Sequence, residues 1–159
     1  MQKPQNIFID GKGNPKIGDF DLSKKFIDKT KTIVPSSTFR IGGTPNYIAP
    51  EVLDFDNPVQ TLKSDIYSFG ILLYELLFPE STPKPTDQLL FQRKEEEYLV
   101  DIPPKNDKGL FQDNDPLYQH SINLFRSMLT IDPSKRSSAS SLLIHPFFFL
   151  LSLFINSPL

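Results

Sequence analysis

The chain has 159 residues, of which 38% are hydrophobic and 23% are charged, and its formal net charge is −2. A globular chain of this size can bury one hydrophobic core. It has no strongly basic stripe, so nucleic acid is not the implied partner, and the absence of cysteine excludes disulfides and thiolate metal sites. We find no secretory signal and no apolar run of the roughly 18 residues that a membrane span requires. We therefore expect a cytoplasmic protein with no membrane span.

The first predicted element is a β-hairpin between residues 7 and 19. Residues 7–9 and 16–17 are short apolar strands, and residues 11–14 read Gly-Lys-Gly-Asn, which is typical of a turn. Residues 22–43 are rich in Lys, Thr and Ser and have little apolar periodicity, so we predict a mobile surface loop there.

The strongest helical signal covers residues 63–78, which are apolar nearly all round. Such a helix belongs at the centre of a domain. We predict Ser64 as its N-terminal cap and Pro79 as its end. A linker over residues 79–85 and a mostly polar helix over residues 86–98 are expected to follow.

Two further helices are predicted near the end of the chain. The first has apolar side chains at helical spacing: Tyr118, Ile122, Leu124, Phe125, Met128 and Leu129. After a turn at residues 132–133, a short helix with Ala139, Leu142 and Leu143 should end ahead of Pro146. The apolar run over residues 147–155 is interpreted as a last core-packing segment or an aberrant end. The fold class is therefore mainly α, with one small hairpin followed by four or five helices.

Three polar side chains near the hairpin have the chemistry of a phosphate and magnesium site. Lys3 can neutralise phosphate charge, while Asn6 offers an amide oxygen and Asp19 a carboxylate. Both oxygens are hard ligands suited to Mg²⁺. The hairpin between Asn6 and Asp19 can fold the two ligands towards one another.

Several motifs in order resemble those of eukaryotic Ser/Thr protein kinases. Residues 3–6 read Lys-Pro-Gln-Asn and residues 19–21 read Asp-Phe-Asp, similar to that family's magnesium- and phosphate-handling loops. Residues 42–51 read Gly-Gly-Thr-Pro-Asn-Tyr-Ile-Ala-Pro-Glu, which resembles its substrate-docking loop and Ala-Pro-Glu motif. Residues 63–70, Lys-Ser-Asp-Ile-Tyr-Ser-Phe-Gly, resemble the start of its central buried helix.

The end of the chain extends this resemblance. Residues 132–136 read Asp-Pro-Ser-Lys-Arg and residues 145–148 read His-Pro-Phe-Phe, similar to the family's closing helices. The resemblance implies an α+β kinase fold in which residues 1–148 form only the carboxy-terminal lobe (C-lobe), built around a central buried helix, with an apolar tail over residues 149–159. It implies ATP-dependent phosphorylation of Ser or Thr in protein substrates, with ATP and Mg²⁺ as cofactors.

The resemblance also implies roles for matching positions. Asn6 and Asp19 would bind the magnesium held by ATP, Lys3 would touch the γ-phosphate, and Thr44 would hydrogen-bond in the catalytic loop. Asp65 would hold the backbone of that loop.

Two further kinds of role follow from the same resemblance. Glu51 and Arg136 would form a buried ion pair, for which the bidentate fork of Arg suits a carboxylate. Activating phosphorylation is expected within the loop, and its candidates, of which Thr38 matches best by its distance to Thr44, are Thr30, Thr32, Ser36, Ser37 and Thr38.

The sequence departs from the family pattern in three ways. The catalytic aspartate stands five residues before the Asn in that family, and Met1 occupies this position here. Asp21 replaces the glycine of the Asp-Phe-Gly motif. The Gly-rich phosphate loop, the strand Lys and its partner Glu are absent, so we expect an upstream region to supply the amino-terminal lobe (N-lobe).

We therefore predict that this chain alone is inactive and that a longer kinase carries the activity. The alternatives are a pseudokinase or binding module, or a non-functional gene fragment. The subfamily stays open: the docking loop resembles polo-type kinases, whereas residues 63–70 followed by Phe-Pro resemble kinases of translation initiation factor two.

Overall fold

The computed structural model describes residues 4–18, 32–33, 47–54, 58–78 and 114–156. The strands are β1 (Ile7–Ile9), β2 (Pro15–Ile17), β3 (Thr32–Ile33) and β4 (Val59–Gln60). The helices are α1 (Leu62–Leu77), α2 (Pro116–Leu129), α3 (Ala139–Leu143) and α4 (Pro146–Asn156). Single turns of 3₁₀ helix cover Pro4–Asn6, Pro50–Val52 and Pro133–Lys135. The described part is thus largely helical with small antiparallel sheets; Pro79, the linker and the helix predicted over residues 86–98 lie outside it.

The predicted hairpin is confirmed. Strands β1 and β2 pair antiparallel with Ile7 opposite Ile17. In the turn, the Asp10 carboxylate accepts hydrogen bonds from the backbone N–H groups of Asn14 and Lys12, each at 2.9 Å. These bonds hold the pKa of Asp10 below its ordinary value. Gly13 has a φ of +83°, which a glycine adopts without strain.

A second sheet corrects the predicted loop at residues 32–33; the rest of that predicted loop, residues 22–31 and 34–43, lies outside the described residues. Strand β3 pairs antiparallel with β4, with Thr32 opposite Gln60 and Ile33 opposite Val59. Thr and Ile are β-branched and favour strands, but their partner strand lies far along the chain, and local periodicity carries no information about such pairing. The described residues therefore contain the predicted hairpin and, in addition, a two-stranded ladder that was not predicted.

Helix α1 begins earlier than predicted. Its N-cap is Thr61, whose hydroxyl oxygen accepts from the Lys63 N–H at 3.1 Å. Ser64 is not the cap: it lies in the first turn, where its Oγ accepts from the Thr61 N–H at 3.0 Å. The two serine and threonine side chains form a capping box that fixes the start of the helix.

One stripe of α1 also departs from the prediction of burial all round. Leu62, Phe69 and Leu76 are exposed, with Leu76 at 66%. Residues seven apart lie on nearly the same side of a helix, so these side chains form a single apolar line. The other apolar faces of α1 are buried, as Ile66, Tyr67, Ile71, Leu72 and Tyr74 show.

The core lies between α1 and α2. All six apolar residues predicted for α2 are buried, which confirms that helix. At its centre, the ring of Phe125 lies 5.1 Å from that of Tyr74 and 6.0 Å from that of Phe78. Gly70 lies at the crossing, because a Cβ there would approach Leu129 Cδ2 to 2.6 Å. The absence of a side chain at Gly70 lets the two helices pack closely.

The last helices agree in part with the sequence prediction. Helix α3 lies where expected, and α4 runs across the predicted boundary between residues 148 and 149, so the apolar tail predicted over residues 149–159 begins within this helix. Phe147 is fully buried, whereas Phe149 is exposed. His145 caps α4 by accepting the Phe147 N–H at Nδ1, at 3.2 Å, and burial, together with the neighbouring His120, lowers the pKa of His145. None of the helices in the described ranges is long and apolar enough to cross a membrane.

We expect Gly70→Ala to destabilise the chain by up to about 2 kcal/mol, since overpacking costs about 1–3 kcal/mol and the better helix propensity of Ala returns about 1 kcal/mol. Urea unfolding measures the change. The matched control is Gly11→Ala, where a Cβ would meet nothing within 4 Å, and it should alter the free energy of unfolding by less than about 0.5 kcal/mol. A Gly70→Ala variant stabilised by about 1 kcal/mol, the full gain in helix propensity, would contradict the close packing of α1 on α2.

Candidate active site

Asn6 lies at the open end of the hairpin, in the 3₁₀ turn that leads into β1. Its side chain is buried, and its backbone C=O accepts a hydrogen bond from the Gly18 N–H at 2.8 Å. A Cβ on Gly18 would come within 2.5 Å of the Phe8 ring, so glycine permits this close approach. The hairpin therefore brings Asn6 together with the residue that directly precedes Asp19.

Of the two predicted magnesium ligands, the structure describes Asn6, whose amide oxygen is of the kind that Mg²⁺ prefers and so fits an ion held through ATP. Outside the described residues lie Met1, Lys3, Asp19, Asp21, Thr44 and the phosphorylation candidates Thr30, Ser36, Ser37 and Thr38. Thr32 lies in β3.

A second part of the candidate site is the segment Tyr47–Val52, which follows directly on Thr44-Pro45-Asn46. Tyr47, Ile48 and Ala49 are buried. Side chains of α1 hold the segment: Ser68 Oγ donates to the Tyr47 C=O at 2.6 Å and Ser64 Oγ donates to Glu51 Oε1 at 2.7 Å.

The Tyr47 hydroxyl adds a third attachment to α1, because it donates to the Glu75 carboxylate. Burial raises the pKa of Tyr47 above its ordinary value, and the neighbouring Glu75 raises it further. Sequence analysis missed the roles of Ser68 and Glu75. The available signal was their spacing, since residues 64, 68 and 75 share one face of a helix that is otherwise mostly apolar.

The ion pair between Glu51 and Arg136 is present and bidentate. Arg136 Nη1 lies 2.8 Å from Glu51 Oε1, and Nη2 lies 2.8 Å from Oε2. The Arg136 side chain is fully buried and that of Glu51 is 11% exposed. The pair joins the end of the Ala-Pro-Glu motif to the loop that precedes α3.

Every N–H of the Arg136 guanidinium has a partner. Nε donates to the Thr130 C=O at 2.8 Å, Nη2 to the Ile131 C=O at 3.0 Å, and Nη1 to the Lys63 C=O at 3.1 Å, besides the two bonds to Glu51. An arginine has five such donors, so none is left unsatisfied in this buried place.

Neighbouring side chains complete the surroundings of Arg136. The ammonium group of Lys63 donates back to the Arg136 C=O. The guanidinium also lies over the Tyr67 ring, 4.9 Å from its centroid, which is a favourable cation–π position. The pKa of the Tyr67 hydroxyl is raised, mainly because the ring is buried.

Asp65 lies in the first turn of α1 and is partly buried, which raises the pKa of its carboxyl. A carboxylate in the first turn of a helix interacts favourably with the helix dipole. The role that the resemblance implies for Asp65, holding the backbone of the catalytic loop, stays a prediction.

The protein kinase domain family matches residues 2–148 of the chain. The chain therefore belongs to the protein kinase domain family. It is 34% identical over 142 residues to the probable cell cycle serine/threonine-protein kinase CDC5 homolog of Encephalitozoon cuniculi, covering 89% of this chain and 27% of that protein. It is 36% identical over 145 residues to serine/threonine-protein kinase CHK1 of Saccharomyces cerevisiae, covering 91% and 26%.

A further relative is the cell cycle serine/threonine-protein kinase CDC5/MSD2 of Saccharomyces cerevisiae, 32% identical over 143 residues, covering 90% of this chain and 18% of that protein. These relatives confirm the predicted resemblance to Ser/Thr protein kinases, which are transferases. The chain spans about a quarter of the length of the first two relatives.

We expect Glu51→Gln to cost about 3–5 kcal/mol of stability, because it leaves the buried Arg136 guanidinium without its opposite charge. The amide is nearly the same shape as the carboxylate, so the change reports charge rather than packing. Urea unfolding of the chain measures it. Asp10→Asn removes a carboxylate from the partly exposed hairpin turn and should cost less than about 0.5 kcal/mol; equal costs for the two variants would contradict the account of this pair.

Proposed function

We propose that the chain is the C-lobe of a Ser/Thr protein kinase and that the longer polypeptide transfers phosphate from ATP to Ser or Thr residues of proteins. Family membership over residues 2–148 supports the activity class. The share of the relatives' length that the chain covers supports a longer polypeptide, in which an N-lobe would complete the ATP site.

The observation that carries the proposal is the hydrogen bond from the Gly18 N–H to the Asn6 C=O. It closes the hairpin so that Asn6 and Gly18, the residue that precedes Asp19 in the sequence, meet at the same end. In the proposal the side chains of Asn6 and Asp19 hold Mg²⁺. Lys3, which directly precedes the 3₁₀ turn in the sequence, would contact the γ-phosphate. When bound, ATP would supply the phosphoryl group and Mg²⁺ would neutralise the charge that develops on it.

The segment Tyr47–Val52 would serve the protein substrate. It contains the second half of the docking loop predicted over residues 42–51, whose first half includes Thr44, which would hydrogen-bond with the catalytic loop. Its burial and its attachment to α1 support this role, because a docking loop has to present the acceptor hydroxyl in one position.

For the 159-residue chain by itself we expect no phosphate transfer. Residue 1 is Met, where the family has the aspartate that orients the acceptor hydroxyl, and such acid–base assistance is worth about 10²–10⁴-fold in rate. Asp21, in place of a glycine, adds a negative charge close to the proposed magnesium ligands.

The test uses the longer polypeptide that is proposed to contain this chain. We expect Asn6→Ala and Asp19→Ala each to lower phosphorylation of a generic Ser/Thr substrate by at least about 10²-fold, the usual cost of losing one preorganised electrostatic group at a reaction centre. Melting temperatures show whether each variant is folded.

Asn14→Ala is the matched control, because Asn14 lies at the far, turn end of the same hairpin and bonds only to Asp10 there. It should retain full activity. Wild-type activity in folded Asn6→Ala would contradict the assigned magnesium site. A complete wild-type protein that transfers no phosphate would contradict catalysis itself and would favour the pseudokinase reading.

A further inference from the structure

Helix α1 carries one polar line among its apolar faces. Ser64, Ser68 and Glu75 follow each other at helical spacing, and the two serines are buried. Since a buried hydroxyl requires a hydrogen-bond partner, the partners of this line indicate what the helix holds. All three side chains bond to the segment Tyr47–Val52.

Ser68 forms a hydrogen bond that the sequence did not predict. Its hydroxyl has one proton and two acceptors in reach, the Tyr47 C=O at 2.6 Å and the Ser64 C=O at 3.2 Å. The shorter distance lies at the strong end of the O–H···O range. The proton therefore goes to Tyr47, 21 residues away along the chain, rather than to the helix's own preceding turn. Ser68 is only 3% exposed, so bulk water does not compete for this bond.

Ser64 makes the second attachment, four residues further along the same segment. Its hydroxyl donates to Glu51 Oε1 while accepting from the Thr61 N–H. The two bonds attach Tyr47 and Glu51, which lie on either side of Ala49-Pro50, to helix α1. A segment that is attached to a helix at two places has one position relative to that helix.

We propose that Ser68, assisted by Ser64, is a positioning residue for the protein substrate. By holding the carbonyl of Tyr47, it fixes the second half of the predicted docking loop and so lowers the entropic cost of binding the substrate polypeptide. This inference rests on the proposed kinase function. Ser64 also belongs to the helix cap and touches the Glu51–Arg136 pair, so Ser68 is the cleaner position to change.

The first experiment needs no catalytic activity. Amide hydrogen exchange on the 159-residue chain should show faster exchange of residues 47–53 in Ser68→Ala, with exchange of α2 unchanged. Ser121→Ala is the matched control: Ser121 is equally buried, but its hydroxyl bonds within its own helix to the Tyr118 C=O at 2.7 Å. It should leave residues 47–53 unaffected. Unchanged exchange of residues 47–53 in Ser68→Ala overturns the proposal.

The second experiment uses the complete kinase. Losing one hydrogen bond of about 0.5–1.5 kcal/mol should raise KM for a protein substrate by about 2- to 13-fold, while KM for ATP and kcat stay within twofold. A merely structural role would not separate the two KM values. Ser68→Cys fills the site with a slightly larger thiol that is only a weak donor, so it should show the same split even if Ser68→Ala fails to fold.

The outcomes separate this inference from the proposed function. Faster exchange with an unchanged KM for protein substrate in an active kinase overturns the positioning role alone. A complete wild-type protein that transfers no phosphate overturns the proposed function, and with it the assigned substrate role, whereas the exchange data still decide whether Ser68 holds the segment.

Discussion

The described structure depends on the way the Arg136 guanidinium is bound. Removing a charge from water is costly, and the cost is offset only when an opposite charge and full hydrogen bonding surround it. Glu51 supplies the charge, and the carbonyls of Thr130, Ile131 and Lys63 supply the remaining acceptors. One side chain thereby joins the end of the predicted docking loop, the start of α1 and the end of α2.

Helix α1 contacts both α2 and the segment Tyr47–Val52. One of its faces packs on α2 through the close approach at Gly70, and its polar line holds the segment Tyr47–Val52. The candidate magnesium ligands belong to a different element, the hairpin that starts at Asn6. In a kinase the substrate hydroxyl and the metal must be placed together, so the rigidity of α1 matters for the proposed chemistry even though α1 would not touch phosphate.

The sequence predicted the elements whose causes are local. Turn residues predicted hairpin β1–β2, and apolar periodicity predicted helices α2 and α3. The family resemblance was predicted from several motifs that occur in the same order as in the family. The β3–β4 ladder was missed because its partners lie far apart in the sequence. The polar line on α1 was missed because a serine within a helix has no local pattern that identifies a distant partner. The N-terminal cap of α1 was misplaced by three residues, because Ser64 and Thr61 are both good caps and only geometry assigns their roles.

The most direct test is a double-mutant cycle on Glu51 and Arg136, measured by urea unfolding of the chain. The two single variants are Glu51→Gln and Arg136→Met. The account predicts that the double variant loses at least about 2 kcal/mol less unfolding free energy than the sum of the two single losses, because each single change leaves the other side chain buried without its partner. Losses that add to within about 0.5 kcal/mol would show that the two side chains act independently. That result would contradict the view that this pair joins the three segments.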